Sequence, residues 1–277
     1  MSRTRATSAE ADAREDRRFV TALARGLEVL HSFRPNDRWL PHQELVRRTG
    51  LPHATISRLS FTLVALGYLR HRPAAGEYAL SPAVLALGFS MLSTFDIGRA
   101  ARPLMQALAD RAQAAVSLGV RHDLGMIYVA HCRSTARLTL GLDVGTRLPL
   151  ATTAMGRAVL CGVSDAERDR LSRLLQAQDP QAWPTMRAGL ARAAEMYARH
   201  GLVDSVSDWD KDIAAIGVPV DIGAGKEPFG LTIGGPASQL QGSLLYEELG
   251  DALKAAGAEI SQVLAGASWQ RQRLRSR

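Results

Sequence analysis

"PHQELVRRTG" (Pro41–Gly50), "LPHATISRLSFTLVALGYL" (Leu51–Leu69) and "YLRHRPAAGEYAL" (Tyr68–Leu80) decide the fold. The first stretch has helical spacing. The second breaks at Pro52 and runs on as a helix whose Ile56, Leu59, Leu63 and Leu66 fall at i, i+3, i+7 and i+10, predicting one buried face. The other face carries His53, Thr55, Ser57 and Arg58, small or cationic groups that fit a DNA groove. Gly67 stands where a left-handed C-cap is expected. The third stretch reads as strand, turn, strand, with Arg70, His71 and Arg72 ahead of a Pro73–Gly76 turn. Two helices and a basic hairpin in this order predict a winged helix-turn-helix over residues 18–80, with these seven residues facing double-stranded DNA.

The neighbouring segments extend that frame. Residues 1–17 are polar and lack apolar periodicity, which predicts a disordered arm. "FVTALARGLEVLHSF" (Phe19–Phe33) is an amphipathic helix with Val20, Leu23, Leu27 and Leu30 as its expected core stripe. "SPAVLALGFSMLSTF" (Ser81–Phe95) opens with a Ser cap and a first-turn Pro, and is apolar on more than one side. It reads as a linker helix over 81–96 and a dimer contact. Residues 97–270 mix helices with hairpins. Ile97–Ala112 is helical, and Ala115–Cys132 is two strands about a His122–Gly125 turn. Arg137–Leu150 is strand-like, and Thr152–Gly162, Ser164–Gln178 and Thr185–Gly201 are helices. Strands at Leu202–Val206, Ile213–Val220 and Phe229–Gly234 precede a closing helix from Leu244 to Ala265. The pattern predicts an α+β, antiparallel-sheet sensor domain, followed by a basic tail at 271–277.

Charge follows the same division. Of a net +7, residues 1–80 hold 13 arginines against 8 acids, whereas residues 81–270 hold 17 basic and 19 acidic groups. A positive field on the reader is what phosphate binding requires. An Arg-rich composition throughout, with no Lys before Lys211, is the alternative source. The two cysteines, Cys132 and Cys161, form no CxxC, and no His pair stands at metal spacing, so neither a disulfide, a metal nor a cofactor is expected. His131 and Cys132 are adjacent on a strand and point to opposite faces. No signal peptide or 18-residue apolar span is present, which predicts a cytoplasmic chain without a membrane. Neither a GxSxG elbow nor HExxH occurs, so no catalytic residue is assigned. "GAGKEPFG" (Gly223–Gly230) lacks P-loop spacing and reads as a hairpin turn, and "DWDKD" (Asp208–Asp212) as a solvated loop. A small-molecule enzyme carrying a nucleic-acid-binding module is the alternative to a DNA-binding regulator.

The chain resembles the IclR family of bacterial transcription regulators from about Phe19 to Ala265. The resemblance lies in "FVTALARGLEVL", in "HATISRLSFTLVALGYL", in "VGTRLPLATTAMGRAVL" (Val144–Leu160), and in "IAAIGVPV" (Ile213–Val220) with "LTIGGP" (Leu231–Pro236). It implies a winged helix, a linker helix, a GAF-like effector-binding domain, and assembly as a homodimer or dimer of dimers. The first segment is most similar to the branch regulating protocatechuate and 4-hydroxybenzoate catabolism, which implies an aromatic acid. Two stretches depart from the family. Pro52 and His53 stand where Ser or Thr often caps the recognition helix, and "GLVDSVSDWDKDI" (Gly201–Ile213) lacks the usual Gly-Leu-Arg ending.

"LPLATTAMGR" (Leu148–Arg157) is the expected ligand loop. A strand end leads through Thr152 and Thr153 into a helix whose N-terminal amides favour an anion, with Gly156 permitting close approach. By resemblance, Met155 and Gly156 hold a small-molecule carboxylate, Ser205, Ala215 and Thr232 match other pocket positions, and Thr139, Leu142 and Leu148 supply wall. The plain alternative is that Thr152 caps the helix and Met155 fills core.

Overall fold

The structure, a computed structural model, describes residues 16–34, 36–93, 101–135, 141–223, 225–240, 242 and 244–275. It divides into two compact units, Met1–Thr94 and Phe95–Arg277. Most of the expected arm, residues 94–96 of the linker, residues 136–140 and the side chains of the basic tail lie outside the described residues.

Unit 1 runs α1 (Thr21–His31), β1 (Leu40–Pro41), α2 (His42–Thr49), α3 (His53–Ala65), β2 (Leu69–Arg72), β3 (Glu77–Leu80) and α4 (Pro82–Ser93). The strands form an antiparallel sheet in the order β1-β3-β2, with Leu69 opposite Leu80 and Arg72 opposite Glu77. Gly50 ends α2 at φ 68° and Pro52 opens α3, which makes the helix-turn-helix corner. Arg48, only partly exposed, donates to Asp37, to Glu44 and to the Ser32 carbonyl, and so ties α2 to the α1–β1 connection. Two guanidiniums, from Arg47 and Arg48, pull the Glu44 carboxyl down to about 2. Ser81 caps α4 as expected, its hydroxyl accepting from Ala83 N at 3.1 Å.

The core of unit 1 is Val29, Leu40, Leu45, Ile56, Leu63, Leu69 and Tyr78. It corrects two expectations. Val20, Leu23 and Leu27 are not core but exposed, at 61%, 63% and 48%. Helix α1 packs only through its C-terminal half, where Val29, Leu30 and Phe33 face inward, so the i, i+3, i+7 stripe on its first turns points outward. Leu66 is also exposed, because α3 ends at Ala65 and the chain turns outward into Gly67 at φ 80°.

Unit 2 runs α5 (Arg102–Ala112), β4 (Ala115–His122), β5 (Gly125–Cys132), β6 (Arg147–Pro149), α6 (Ala154–Gly162), α7 (Asp165–Gln178), α8 (Trp183–His200), β7 (Val203–Val206), β8 (Ile213–Val220) and β9 (Phe229–Pro236). A π-helical turn at Leu244–Glu248 then leads into α9 (Leu249–Arg275). The six strands form an antiparallel sheet in the order β6-β5-β4-β9-β8-β7. Gly217 meets the Ala154 carbonyl of α6, whereas Val218 and Val220 meet Gly257 of α9. Neighbouring strand residues point to opposite faces, so α6 covers one side of the sheet and α9 the other. Of the strand expected over Arg137–Leu150, residues 137–140 lie outside the described residues, and among those described Arg147–Pro149 is strand, after a turn in which Thr146 N donates to the Asp143 carbonyl. "GAGKEPFG" lies in the β8–β9 hairpin connection and its first strand residues. The described fold is the α+β arrangement expected, a winged helix-turn-helix followed by a curled antiparallel-sheet unit.

Candidate functional site

On unit 1, α3 presents His53, Ala54, Ser57, Arg58, Phe61 and Thr62 to solvent, while Ile56, Ser60 and Leu63 are buried beneath. Thr55 is half-buried at the margin of this face, three residues before the exposed Arg58 and seven before the exposed Thr62, and so on their side of the helix. Phe61, 75% exposed, was missed by sequence reasoning, since its hydrophobicity argues for the core. An exposed ring between Arg58 and Thr62 is suited to a thymine methyl. The Ser57 hydroxyl meets His42 Nε2 at 3.1 Å, and His42 stacks on His53 with ring centroids 4.6 Å apart. Burial, and then the neighbouring His53 ring, lower the His42 pKa.

The wing carries Arg70, His71 and Arg72, all exposed. Arg70 and Arg72 share one face of β2, as the period-two rule requires. That face is occupied by Trp39: the Arg72 guanidinium lies 3.9 Å and that of Arg70 5.3 Å from its ring centroid. His71 points the other way and stacks on Tyr78 at 4.5 Å. The two arginines are therefore pre-positioned by an aromatic plate rather than extended into solvent.

Unit 2 contains a small cavity of about 30 Å³ between α6 and the sheet, partly open to solvent. Met155, Thr153 and Ala154 border it from the helix, Leu142 and Leu148 from the β6 side, and Ser205, Ala215 and Thr232 from β7, β8 and β9. Thr139 lies outside the described residues. Three expectations change. The cap is Thr153, not Thr152: its hydroxyl accepts from Gly156 N at 3.2 Å and donates to the Pro149 carbonyl at 2.7 Å. Thr152 does not line the cavity, and its carbonyl accepts from Ser205 Oγ at 2.7 Å. Gly156 does not line it either, and its amide is used by the cap. A Cβ there would overlap the Leu150 backbone carbonyl, so this glycine seats the loop against the helix instead of admitting a ligand. The donors that the helix itself leaves unused are the amides of Ala154 and Met155.

Arg157 points away from the cavity. Only 2% exposed, it donates from Nε to the Ala151 carbonyl at 3.1 Å and from Nη1 to the Asp204 carbonyl at 2.8 Å and to Asp208 at 2.7 Å. Asp208 also accepts from Arg192 at 3.0 Å, so the "DWDKD" loop, exposed at Asp208, Asp210, Lys211 and Asp212, is anchored at its first residue, and its Trp209 borders the cavity. Asp204 accepts from Tyr246 Oη at 2.8 Å, and burial together with this carboxylate pushes the phenol up to about 12.

Sequence reasoning did not assign Ser117, Tyr128 and His131, which form the far wall of the cavity. His131 Nδ1 meets Ser117 Oγ at 2.8 Å, and Arg133 Nε donates to His131 Nε2 at 3.1 Å. Burial and then the Arg133 charge lower the His131 pKa. Cys132 points the opposite way, its thiol near the Arg102 carbonyl and its pKa raised by burial. Among the described residues no group of three or more His, Cys, Asp or Glu could hold a metal, and no helix is long and apolar enough to cross a membrane.

Comparison with known proteins accounts for both units. Residues 22–73 match the IclR helix-turn-helix domain, and residues 89–262 match the bacterial transcriptional regulator IclR C-terminal domain. The chain is 35% identical over 238 residues to the HTH-type transcriptional regulator TsaQ1/TsaQ2 of Comamonas testosteroni, covering 85% of each. It is 28% identical to the Pca regulon regulatory protein of Pseudomonas putida, over 90% of this chain and 85% of the relative. An IclR family transcriptional regulator from Brucella abortus superposes with a TM-score of 0.77 at 39% identity, covering 90% of this chain and 94% of that one. An IclR homologue from Microbacterium hydrocarbonoxydans, complexed with 4-hydroxybenzoate, shares the fold at a TM-score of 0.69 and 21% identity, covering 89% and 100%. These relatives are regulators, not enzymes. With its winged reader and its sheet-bound cavity matched in turn, the chain belongs to the IclR family of DNA-binding transcriptional regulators.

Proposed function

We propose that this regulator controls a catabolic operon by sensing a small carboxylate in the unit 2 cavity. The observation that carries the reading is the pair of unused amides, Ala154 and Met155, at the N-terminus of α6 beside the cavity. Those amides and the helix dipole favour an anion, and among the described residues no Lys or Arg borders the cavity. Leu142, Leu148, Met155 and Trp209 supply apolar wall for a ring. The fold shared with a 4-hydroxybenzoate complex supports an aromatic acid.

In this reading residues 18–80 read operator DNA through His53, Ser57 and Arg58 of α3 and Arg70, His71 and Arg72 of the wing, and 97–270 bind effector. Residues 81–96 link the two. Assembly is as a homodimer or dimer of dimers in the cytoplasm. The apolar side chains that α1 and α4 expose, among them Leu23, Leu27, Leu85 and Phe89, favour self-association.

Calorimetry of the intact chain with 4-hydroxybenzoate and its neutral amide tests the anion site. Loss of a charge-assisted hydrogen bond of about 1.5–3 kcal/mol corresponds to roughly 10- to 150-fold weaker amide binding. Equal affinity for acid and amide refutes it.

A further inference from the structure

Three parts of the reader meet at His42, which lies outside α3. Among the described residues no side chain caps α2 or α3, each of which follows a proline. The first amides of such a helix have no partner within it. As the first residue of α2, His42 donates its amide to the Gly76 carbonyl at 3.1 Å. Gly76 closes the wing turn at φ 63°, a left-handed conformation that suits glycine. Just before it, Leu40 and Pro41 of β1 pair with Tyr78 and Glu77 of β3. The His42 backbone is thereby tied to the wing by two consecutive links.

Its half-buried ring reaches onto α3. Nε2 meets Ser57 Oγ at 3.1 Å, and the ring stacks on His53 with centroids 4.6 Å apart and planes at 29°. Tyr78 is its third neighbour at 6.3 Å, and His71 stacks on Tyr78 at 4.5 Å. The rings of His53, His42, Tyr78 and His71 thus run in sequence from the first residue of α3 to the wing.

The contact with Ser57 has a chemical consequence. A serine hydroxyl carries one proton and two lone pairs, and it serves base-edge donors and acceptors alike when free to turn. With one of those sites engaged by a ring that is itself fixed, the hydroxyl keeps one direction. What it offers a base is then what His42 leaves over. Burial, and then the His53 ring, disfavour a proton on His42, so this ring is a poor phosphate contact at neutral pH.

We propose that His42 is a positioning residue of the DNA reader, aiming the Ser57 hydroxyl at one base edge and keeping α3 in step with the wing. The inference rests on the reading of Ser57 as a DNA contact. His42 acts on DNA through Ser57 and His53.

The test uses the intact chain and a duplex that the wild type selects from a random pool. Each base pair is then substituted in turn and affinity is read at fixed salt. Ser57→Ala should relax one base pair, lowering discrimination there about three- to tenfold. His42→Phe keeps a ring for the stack but no nitrogen for Ser57. It should relax the same pair by about threefold or more and leave the salt slope of log K at its wild-type value. His42→Ala should relax that pair as well, and it serves if circular dichroism shows the Phe variant unfolded. His42→Gln, whose amide reaches about as far as Nε2, should bring discrimination back to within about twofold of wild type. Ser57→Ala combined with His42→Phe should bind within about twofold of Ser57→Ala alone, because both remove one interaction. Full discrimination in folded His42→Phe, while Ser57→Ala relaxes its pair, overturns the positioning role and leaves Ser57 as a reader. An equal loss in His42→Gln overturns it too, as does a salt slope lowered by about 0.9, which would make His42 a phosphate contact. Ser57→Ala without effect at any pair removes Ser57 from the DNA face and overturns both readings.

Discussion

Replacing Arg157 with Met should unravel the ligand cavity from behind without touching its lining. The guanidinium is 2% exposed and serves three acceptors on three segments: the Ala151 carbonyl before α6, the Asp204 carbonyl on β7, and Asp208 beyond it. Gly189 of α8 makes room for it, since a Cβ there would come within 2.5 Å of Arg157 Nη2. Removing one partner of a buried pair typically costs about 3–5 kcal/mol. Asp208 keeps Arg192 and is 28% exposed, which reduces the penalty on that side. The two orphaned carbonyls add about 1–3 kcal/mol each. The two carbonyls alone bring the net cost to at least about 2–6 kcal/mol, or a fall of at least roughly 4 °C in the melting of a unit this size. Scanning calorimetry of the intact chain measures it, with operator DNA added to raise and so identify the reader's transition. Arg157→Lys should fall between, because one ammonium cannot serve three divergent acceptors. A unit 2 transition within about 2 °C of wild type in Arg157→Met would refute the reasoning.

Three further outcomes concern the reader. Arg58→Ala should cost about 1–3 kcal/mol and relax one base pair of specificity if Arg58 pairs with a guanine edge, or weaken all sequences evenly if it holds a phosphate. Unchanged gel shifts at fixed salt would remove it from the interface. Replacing both Arg70 and Arg72 with Ala should lower the salt slope of log K by about 1.8, and Trp39→Ala should weaken binding while leaving that slope nearly intact, since the plate only positions the charges. His42 binds its proton less readily folded than unfolded, so unit 1 should hold its stability above about pH 6.5 and lose it as the pH falls below, with His42→Gln flattening that dependence in a melting series. An identical pH slope in His42→Gln would show that another group carries it.

The legible parts of the chain were those written in local chemistry. Gly50, Pro52 and Gly67 punctuate the reader, Ser81 and Ser164 cap their helices, and the hairpin about Asp123 joins β4 to β5. Each is fixed by backbone conformation or by a side chain a few residues away. The illegible parts depend on distant segments. The α1 stripe is amphipathic in isolation, yet which of its turns is covered is set by α2 and α3. Tyr128 and His131 would alternate to opposite faces in a regular strand. The bulge that unites them appears only in the β4–β5 pairing. Arg157 sits within the ligand loop, and its direction is decided by Asp204 and Asp208, which lie about fifty residues on.

The closeness of α6 to the sheet explains why the ligand loop and the two late strands carry the glycines they do. A side chain at Gly217 would come within 2.8 Å of the Ala154 carbonyl, and one at Gly230 within 2.8 Å of the Met155 carbonyl. Both positions press a strand directly on the first turn of the helix, where the unused amides are. Gly156 answers from the helix side, against the Leu150 carbonyl. A helix can lie this near a sheet only where no Cβ intervenes. The consequence is geometric: the Ala154 and Met155 amides are held at a fixed height above Thr232 and Ala215, and the cavity is what remains between them. Glycines at such positions look like strand weakeners by propensity, yet here they determine where an anion could sit.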